Sequence, residues 1–304
     1  MKKIAIIGGG VAGLSAAIYA LRANAEVTLF EQFGLGGYTA NLTEIQNYPS
    51  YEKIEGWQLA TNMSKHAKSL GLKDIVRQRI ESLTKRDDGS FDISTSKQTY
   101  NFNAVVVATG TTRNKLGIEN DYVGKGVSYC ATCDGNFYKG TVTAVVGGNA
   151  HAVSEALYLA DLCETVYMLV PSASVAVSGS VKERLDGKTN VKLILNAKVT
   201  EIYGVNKVEG LKYTVNGVES DLPCAGIFVS VGYSPATDFI RIDGLRLEKG
   251  FIAVDEMCQS SVPGLFAAGD VTNGKLKQIV TACADGAKAG TYACSYAATH
   301  NTKI

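Results

Sequence analysis

The feature that most constrains the fold is a glycine-rich turn that occurs twice, each time between an apolar run and an apolar helical stretch. The first turn, Gly-Gly-Gly-Val-Ala-Gly at residues 8–13, follows the run Lys-Ile-Ala-Ile-Ile at residues 3–7. The second, Gly-Gly-Asn at residues 147–149, begins 139 residues later. A strand, a glycine turn, a helix and a second strand form the βαβ unit of nucleotide-binding domains. The repeat therefore predicts an α/β chain with two Rossmann-like, three-layer nucleotide-binding domains.

Length and charge agree with two domains and exclude several classes of protein. The chain has 304 residues, which fits two domains of about 150 residues each. Hydrophobic residues make up 46%, too large a share for a disordered chain. The net charge is only +1, with 30 basic and 29 acidic residues. That balance excludes a strongly basic nucleic-acid binder, so we expect no nucleic-acid partner.

The N-terminus imitates a secretory signal. Two lysines precede an uncharged run at residues 4–21, and Ala-Asn-Ala follows at residues 23–25. The run is longer than a usual signal core, and glycines at residues 8–10 interrupt it. The α/β pattern also continues beyond residue 25. We therefore expect a soluble, cytoplasmic protein with no membrane partner.

The first glycine turn has the spacing of a dinucleotide site. Gly8, Gly10 and Gly13 allow a pyrophosphate to approach the backbone where a helix begins, and its free N–H groups favour an anion. Glu31 ends the second predicted strand, where an acid accepts hydrogen bonds from a ribose. Near the C-terminus, Asp270 follows a small-residue strand and could hold a chain of hydroxyl groups. The spacing does not distinguish FAD from NAD.

Two closely spaced cysteines give the sharpest chemical signal. Cys130 and Cys133 stand three residues apart, which suits a small disulfide ring or half of a metal site. The other five cysteines form no second pair and the three histidines lie far apart, so we expect no metal. A reversible dithiol fits a reducing compartment, and the adjacent Asp134 could donate a proton. A purely structural pair is the alternative.

The segment around this pair, Gly-Val-Ser-Tyr-Cys-Ala-Thr-Cys-Asp-Gly at residues 126–135, resembles the active-site segment of low-molecular-weight thioredoxin reductases. The resemblance covers nearly the whole chain and implies a thioredoxin-reductase-like flavoprotein that forms a homodimer. It implies a discontinuous FAD-binding domain at 1–114 and 242–304. A pyridine-nucleotide-type domain that carries the dithiol is then inserted at 115–241.

The resemblance also implies roles for single residues. Cys133 would face the flavin, Cys130 would attack the disulfide of thioredoxin or a similar protein, and Asp134 would be the acid. Tyr38 departs from the family, which usually has Gln there, and packing is favoured over stacking on the flavin. The positions implied for FAD contact are Gly8, Gly10, Ala12, Gly13, Glu31, Gly36, Gly37, Tyr38, Asn47, Thr109, Gly110, Gly269, Asp270, Lys277, Gln278 and Ile279.

The second glycine turn lacks what a nicotinamide dinucleotide needs. Asn149 replaces the third glycine of the family, and its Cβ would crowd a pyrophosphate. Ser154 replaces the first of two usual acids, so only Glu155 remains. No charged residue occurs at 169–181, where the family has an Arg-rich segment for the 2′-phosphate of NADP. His151 is expected to be exposed or to cap the helix.

These losses resemble the ferredoxin-linked flavin thioredoxin reductases, which lack the nicotinamide determinants. Reduced ferredoxin is then the expected electron donor, and Lys275 and Lys277 are weak candidates for its docking face, since solvated surface lysines are the simpler interpretation. One alternative is an NADPH-dependent thioredoxin reductase with a degenerate nucleotide site. A second is a non-catalytic FAD-binding redox sensor, against which the intact set of Cys130, Cys133 and Asp134 argues.

Overall fold

The computed structural model describes residues 2–42 and 45–300, and for Cys133 it describes the backbone without the side chain. The chain divides into two compact units, one of Met1–Thr112 with Ser234–Ile304 and the other of Arg113–Tyr233. The chain thus returns to the first unit at Ser234, eight residues before the expected residue 242. Backbone hydrogen bonds hold the returning chain in the first unit, because Leu83 donates to Phe239 and Arg241 donates to Leu83, at 2.9 and 2.8 Å.

The first unit is built from both ends of the chain. Its N-terminal part contains β1 Lys3–Ile7, α1 Val11–Arg22, β2 Glu26–Phe30, α2 Gly56–Ser69, β3 Asp74–Val76, β4 Ile80–Lys85, β5 Phe91–Thr95, β6 Thr99–Phe102 and β7 Ala104–Val107. The next strand, β8 Thr111–Arg113, begins in this unit and ends at the first residue of the second.

The remaining helices and strands belong to the second unit and to the chain that follows it. The second unit contains β9 Val127–Ser128, α3 Ala131–Asp134, β10 Val142–Val146, α4 Ala150–Ala160, β11 Thr165–Val170, α5 Ser180–Asp186, β12 Val191–Leu195, β13 Ala197–Tyr203, β14 Gly210–Val215, β15 Val218–Pro223 and β16 Gly226–Val229. The returning chain contains β17 Tyr233–Pro235, β18 Leu247–Glu248, β19 Phe251–Ile252, β20 Leu265–Ala267 and α6 Ile279–Thr299.

Each unit contains a parallel sheet with the glycine turn at the end of a central strand. In the described residues the strand orders are β20-β7-β1-β2-β3 and β12-β11-β10-β16-β9. The sheets are parallel throughout, and β1 and β10 each lie between two partners. Parallel strands need crossover helices, and α1 and α4 supply them directly after the glycine turns. Two Rossmann-like units of this kind were predicted from the repeated turn.

A two-residue turn connects one antiparallel pair of strands in the second unit. Asn216 and Gly217 connect the antiparallel strands β14 and β15, with φ values of 52° and 83°. A two-residue turn with both φ angles positive follows the twist of the strands, and Asn-Gly adopts it at low cost. Among the described helices, none has both the length and the apolar character that crossing a bilayer requires.

Helices α1 and α6 pack through small residues. A Cβ added at Gly286 would lie 2.1 Å from the carbonyl oxygen of Ala12, and one at Gly290 would lie 2.4 Å from that of Ala16. Both distances are far below van der Waals contact, so the two backbones approach as closely as glycine allows. This packing fixes the start of α1 against the returning chain.

We expect Gly290→Ala to destabilise the first unit by about 1–2 kcal/mol. The added methyl would lie 2.4 Å from a backbone oxygen, so the overpacking cost is in the upper part of the usual range, about 2–3 kcal/mol, and the gain of about 1 kcal/mol in helix propensity offsets part of it. Thermal unfolding at a fixed FAD concentration measures the change. Gly34→Ala is the control, because a Cβ there would meet nothing within 4 Å. Equal melting temperatures for both variants would contradict the packing argument.

Candidate active site

Two glycines of the first turn have no room for a side chain because the backbone of the same chain lies against them, whereas a third glycine faces open space. Gly8 has φ of +106°, and an added Cβ would lie 2.3 Å from the carbonyl oxygen of Ala108. At Gly13 an added Cβ would lie 1.8 Å from the carbonyl oxygen of Gly8. At Gly10 it would meet only the Cα of Gly37, at 3.9 Å. The space beside Gly10 is therefore open to a ligand.

Helix α1 begins at this open side without a cap of its own. Gly10 is the N-cap residue, and no side chain among the described residues forms a cap hydrogen bond there. The first turn also contains no acidic residue. An uncapped helix start presents N–H groups and the positive end of the helix dipole, which together suit a phosphate group. The turn thus fits a dinucleotide pyrophosphate.

Glu31 is held in a fixed orientation at the end of β2. One carboxylate oxygen accepts a hydrogen bond from Gly9 N and the other accepts one from Phe33 N, both at 2.8 Å. Gly36 donates its N–H to the carbonyl of Gly9 at 2.8 Å, which brings the following loop and Gly37 beside the turn. The partly exposed carboxylate retains lone pairs for ribose hydroxyl groups.

Two predicted residues 231 positions apart meet in the first unit. The amide nitrogen of Asn47 donates to the side-chain oxygen of Gln278 at 2.9 Å. Gln278 is also the N-cap of α6 and forms a capping box with Thr281, so its orientation is fixed by the helix that starts at Ile279. The contact joins the Asn-Tyr-Pro segment to the start of α6.

Lys277 is tied to the loop that contains Asp270. Its ammonium group donates to the backbone oxygens of Asp270 and Thr272, at 2.8 and 3.0 Å, and lies 4.5 Å from the ring centre of Phe251. Burial lowers the pKa of Lys277 and raises that of Asp270, and their attraction opposes both shifts. Lys277 is therefore not the solvated surface lysine that the sequence suggested, whereas Lys275 is exposed.

Some of the remaining predicted positions follow the carboxyl ends of β7 and β20, which are neighbours in the parallel sheet. Ala12 is buried, and a Cβ added at Gly269 would lie 3.0 Å from the Cβ of Ala12. Thr109 donates its hydroxyl to the carbonyl of Ala236 at 2.8 Å, and Gly110 follows it with φ of +64°. Tyr38 is about half exposed.

The dithiol segment forms a tight turn in the second unit. The chain leaves β9, passes Cys130 and enters α3, where Asp134 N donates to the carbonyl of Cys130 at 3.1 Å. Cys130 is disulfide-bonded. Cys133 lies within α3, and its side chain is outside the described part of the structure.

Ser128 was missed in the sequence and organises this turn. Its hydroxyl accepts a hydrogen bond from Cys130 N at 3.0 Å and donates one to the carboxylate of Asp134 at 2.6 Å. The side chain is buried, so the bond fixes which way the Asp134 carboxylate points. The spacing Ser-x-Cys is a serine-turn signal that could have indicated the first contact.

The second glycine turn is closed by the chain's own groups. Asn149 is the N-cap of α4, where its side-chain oxygen accepts from Ala152 N at 2.9 Å and its amide donates to Ser230 O at 3.0 Å. Ala176 N donates to the carbonyl of Gly148 at 2.7 Å, which folds the loop after β11 back onto the turn. Val175 of that loop is buried in the core of the unit.

Comparisons with known proteins support one family. A family model described as pyridine nucleotide-disulphide oxidoreductase matches residues 2–286. The thioredoxin reductase of Listeria monocytogenes is 36% identical over 298 residues, covering 96% of this chain and 93% of that protein. The crystal structure of Lactococcus lactis thioredoxin reductase gives a TM-score of 0.82 at 32% identity, covering 98% of this chain and 100% of that one.

A more distant structural match is a ferredoxin-flavin thioredoxin reductase from Clostridium acetobutylicum. It gives a TM-score of 0.54 at 32% identity, covering 98% of this chain and 99% of that one. The predicted fold class is confirmed by these matches, and FAD is the cofactor of thioredoxin reductases. The chain therefore belongs to the pyridine nucleotide-disulphide oxidoreductase family and, within it, to the FAD-binding thioredoxin reductases.

Proposed function

We propose that the enzyme reduces the disulfide of thioredoxin or a thioredoxin-like protein through Cys130 and Cys133, with reduced ferredoxin as the electron donor. The observation that carries the choice of donor is the Asn149 cap. It occupies an N–H group of α4 that a nicotinamide dinucleotide would need. The corresponding helix start in the first unit, at Gly10, has no such cap among the described residues.

The first unit is the proposed FAD domain. The pyrophosphate would lie beside Gly10 and the uncapped start of α1, and Glu31 would accept the ribose hydroxyls. The loop at Gly269 and Asp270 would hold the ribityl chain, and the joined pair of Asn47 and Gln278 would lie near the flavin. When bound, FAD supplies the electron pair that opens the disulfide of the dithiol.

The proposed work of the dithiol follows ordinary thiol–disulfide exchange. The Cys130 thiolate attacks one sulfur of the partner disulfide, which forms a mixed disulfide and releases a thiolate on the partner. Cys133 then attacks Cys130, restoring the internal disulfide and releasing the second partner thiol. Asp134, held by Ser128, exchanges protons with the thiols, so two electrons and two protons reach the partner in each cycle.

Electrostatics argues against NADPH as the donor. The loop after β11 contains no charged residue between 169 and 181, so a 2′-phosphate would lose its charge-assisted contacts there. Each such contact is worth about 1.5–3 kcal/mol, and each ~1.4 kcal/mol is tenfold in affinity. Two missing contacts weaken binding by about two to four orders of magnitude. The Asn149 cap adds to this loss. A ferredoxin needs only a docking surface, and a basic one suits its acidic character.

The second candidate is an NADPH-dependent thioredoxin reductase with a degenerate site. The family match over residues 2–286 favours it, because that family is named for pyridine nucleotides. The rates at which NADPH and reduced ferredoxin reduce the flavin separate the two candidates.

Gly10→Val should reduce FAD content strongly. A branched side chain would occupy the open space beside the uncapped helix, and an overpacking cost of about 1–3 kcal/mol corresponds to roughly 5- to 150-fold in affinity. The ratio of flavin to protein absorbance measures the effect, and circular dichroism checks the fold. Gly34→Val, in open space, should keep its FAD. A Gly10→Val enzyme with full FAD occupancy would remove Gly10 from the site.

Cys130→Ser and Cys133→Ser should each reduce thioredoxin turnover to background while the donor still bleaches the flavin. Each variant loses one of the two sulfurs that the exchange needs. Stopped-flow flavin absorbance and a thioredoxin reduction assay separate the two half-reactions. Cys163→Ala is the control, since Cys163 is a buried free thiol of the same unit. Wild-type turnover in both serine variants would exclude the dithiol from the electron route.

Reduced ferredoxin should bleach the flavin, whereas micromolar NADPH or NADH should do so slowly. Anaerobic mixing with each donor and stopped-flow absorbance give the rates. The ferredoxin rate should fall as salt rises, because ions screen an attraction between a basic surface and an acidic partner. Rapid stoichiometric reduction by NADPH with matching thioredoxin turnover would replace the first candidate by the second.

A further inference from the structure

Glu155 is the acid that remains from the second glycine motif, and its side chain is directed at the dithiol segment. It lies on α4, and its carboxylate accepts a hydrogen bond from Ala131 N at 3.3 Å. Ala131 is the first residue of α3, directly after Cys130, and is itself buried. The acid of a nucleotide motif thus contacts the backbone that carries both cysteines.

The surroundings of Glu155 are unusual for a carboxylate. The residue is only 6% exposed, and its second oxygen has no hydrogen-bond partner among the described residues. The first oxygen also lies 3.4 Å from Nε2 of His151, one turn earlier on α4. The His151 side chain is 44% exposed. Burying a carboxylate with an unsatisfied oxygen costs free energy.

Structural roles at the start of α4 do not account for this burial. Asn149 already caps the helix, and the apolar residues Ala152, Val153 and Ala156 of α4 already belong to the same buried core cluster as Ala131. An apolar side chain at position 155 would fill the same space without the desolvation cost. What Glu155 adds is an acceptor for Ala131 N and a negative charge beside α3.

A charge at this place acts on the redox couple of the cysteines. The couple is one disulfide plus two electrons and two protons, giving two thiols, and the thiols lose protons to become thiolates. A negative charge disfavours a nearby thiolate and has little effect on the neutral disulfide. The reduced pair is then less stable and gives its electrons more readily to a partner disulfide.

We propose that Glu155 is a positioning residue of the dithiol, which holds the backbone of α3 and keeps a negative charge beside it, so that the disulfide is favoured over the reduced pair. The proposal rests on the proposed function, because it assumes that the bonded Cys130 is part of a reversible couple. A second carboxylate lies close to the cysteines: Asp134, on α3 itself, which has its own partner in Ser128.

Glu155→Gln tests the charge, since the amide oxygen can still accept from Ala131. At a pH above the pKa of the more reactive thiol, where the thiolate dominates the reduced pair, we expect the equilibrium constant with dithiothreitol to shift about tenfold toward the reduced pair, equivalent to about 30 mV for two electrons. We also expect the pKa of the more reactive thiol to fall by about 1, seen as faster alkylation across a pH series. Redox titration in dithiothreitol buffers and iodoacetamide kinetics measure the two effects.

Glu164→Gln is the matched control, because Glu164 is an exposed acid of the same unit. Its potential and alkylation profile should equal those of the wild type. Glu155→Asp keeps the charge and should stay within about twofold of the wild-type equilibrium constant. It also provides a folded comparison if the Gln variant does not fold. FAD content and melting temperature are recorded for each variant.

A Glu155→Gln enzyme with the wild-type potential and alkylation profile would overturn the proposal, and so would an equal shift in the Glu164→Gln control. If Glu155→Gln does not fold, an Asp variant with a tenfold altered potential would overturn the role of the charge. These measurements need neither thioredoxin nor ferredoxin, so they are independent of both partners. A wild-type protein in which dithiothreitol opens no disulfide at Cys130 would instead refute the proposed function.

Discussion

Both units depend on the hydrogen bonds made by the free N–H groups at the N-terminus of one helix, α1 in the first unit and α4 in the second. In the first unit Gly10 leaves the start of α1 uncapped, and the close packing of α1 on α6 at Gly286 and Gly290 fixes its position. In the second unit Asn149 satisfies α4 from within the chain. An N-cap side chain and a phosphate use the same N–H groups. Among the described residues, the same fold therefore leaves these groups without a side-chain cap in one unit and satisfies one of them in the other.

The helix that carries the dithiol, α3, is only four residues long and is stabilised by contacts with other parts of the unit. An isolated helix of one turn is unstable in water, so α3 needs support from outside. Ser128 joins Cys130 N to the Asp134 carboxylate, and Glu155 accepts from Ala131 N on the other side. The apolar surface of α4 covers the same turn. Buried polar groups and apolar packing thus hold the backbone of the reactive segment together.

Local signals were predictable from the sequence, and distant contacts were not. The glycine turns, the Asn216-Gly217 hairpin and the Cys130/Cys133 pair each depend on a few adjacent residues, whose conformational preferences act before any tertiary packing. The contact between Asn47 and Gln278 spans 231 positions, and the hold of Glu155 on Ala131 spans 24. No periodicity or motif encodes such pairs. The assignment of site residues to FAD remains a prediction, since it depends on a resemblance.

Two separate contacts cover the second glycine turn: the Asn149 cap and the loop after β11. A single substitution would therefore not expose the turn. An arginine placed after β11 would offer a 2′-phosphate about 1.5–3 kcal/mol for each charged hydrogen bond. The Asn149 cap, worth about 1 kcal/mol, would still occupy Ala152 N. The loop would also have to release Gly148 and expose Val175, which is buried in the core. Opening the turn would therefore break a backbone hydrogen bond and expose apolar core, and an arginine placed after β11 would not offset that cost by itself.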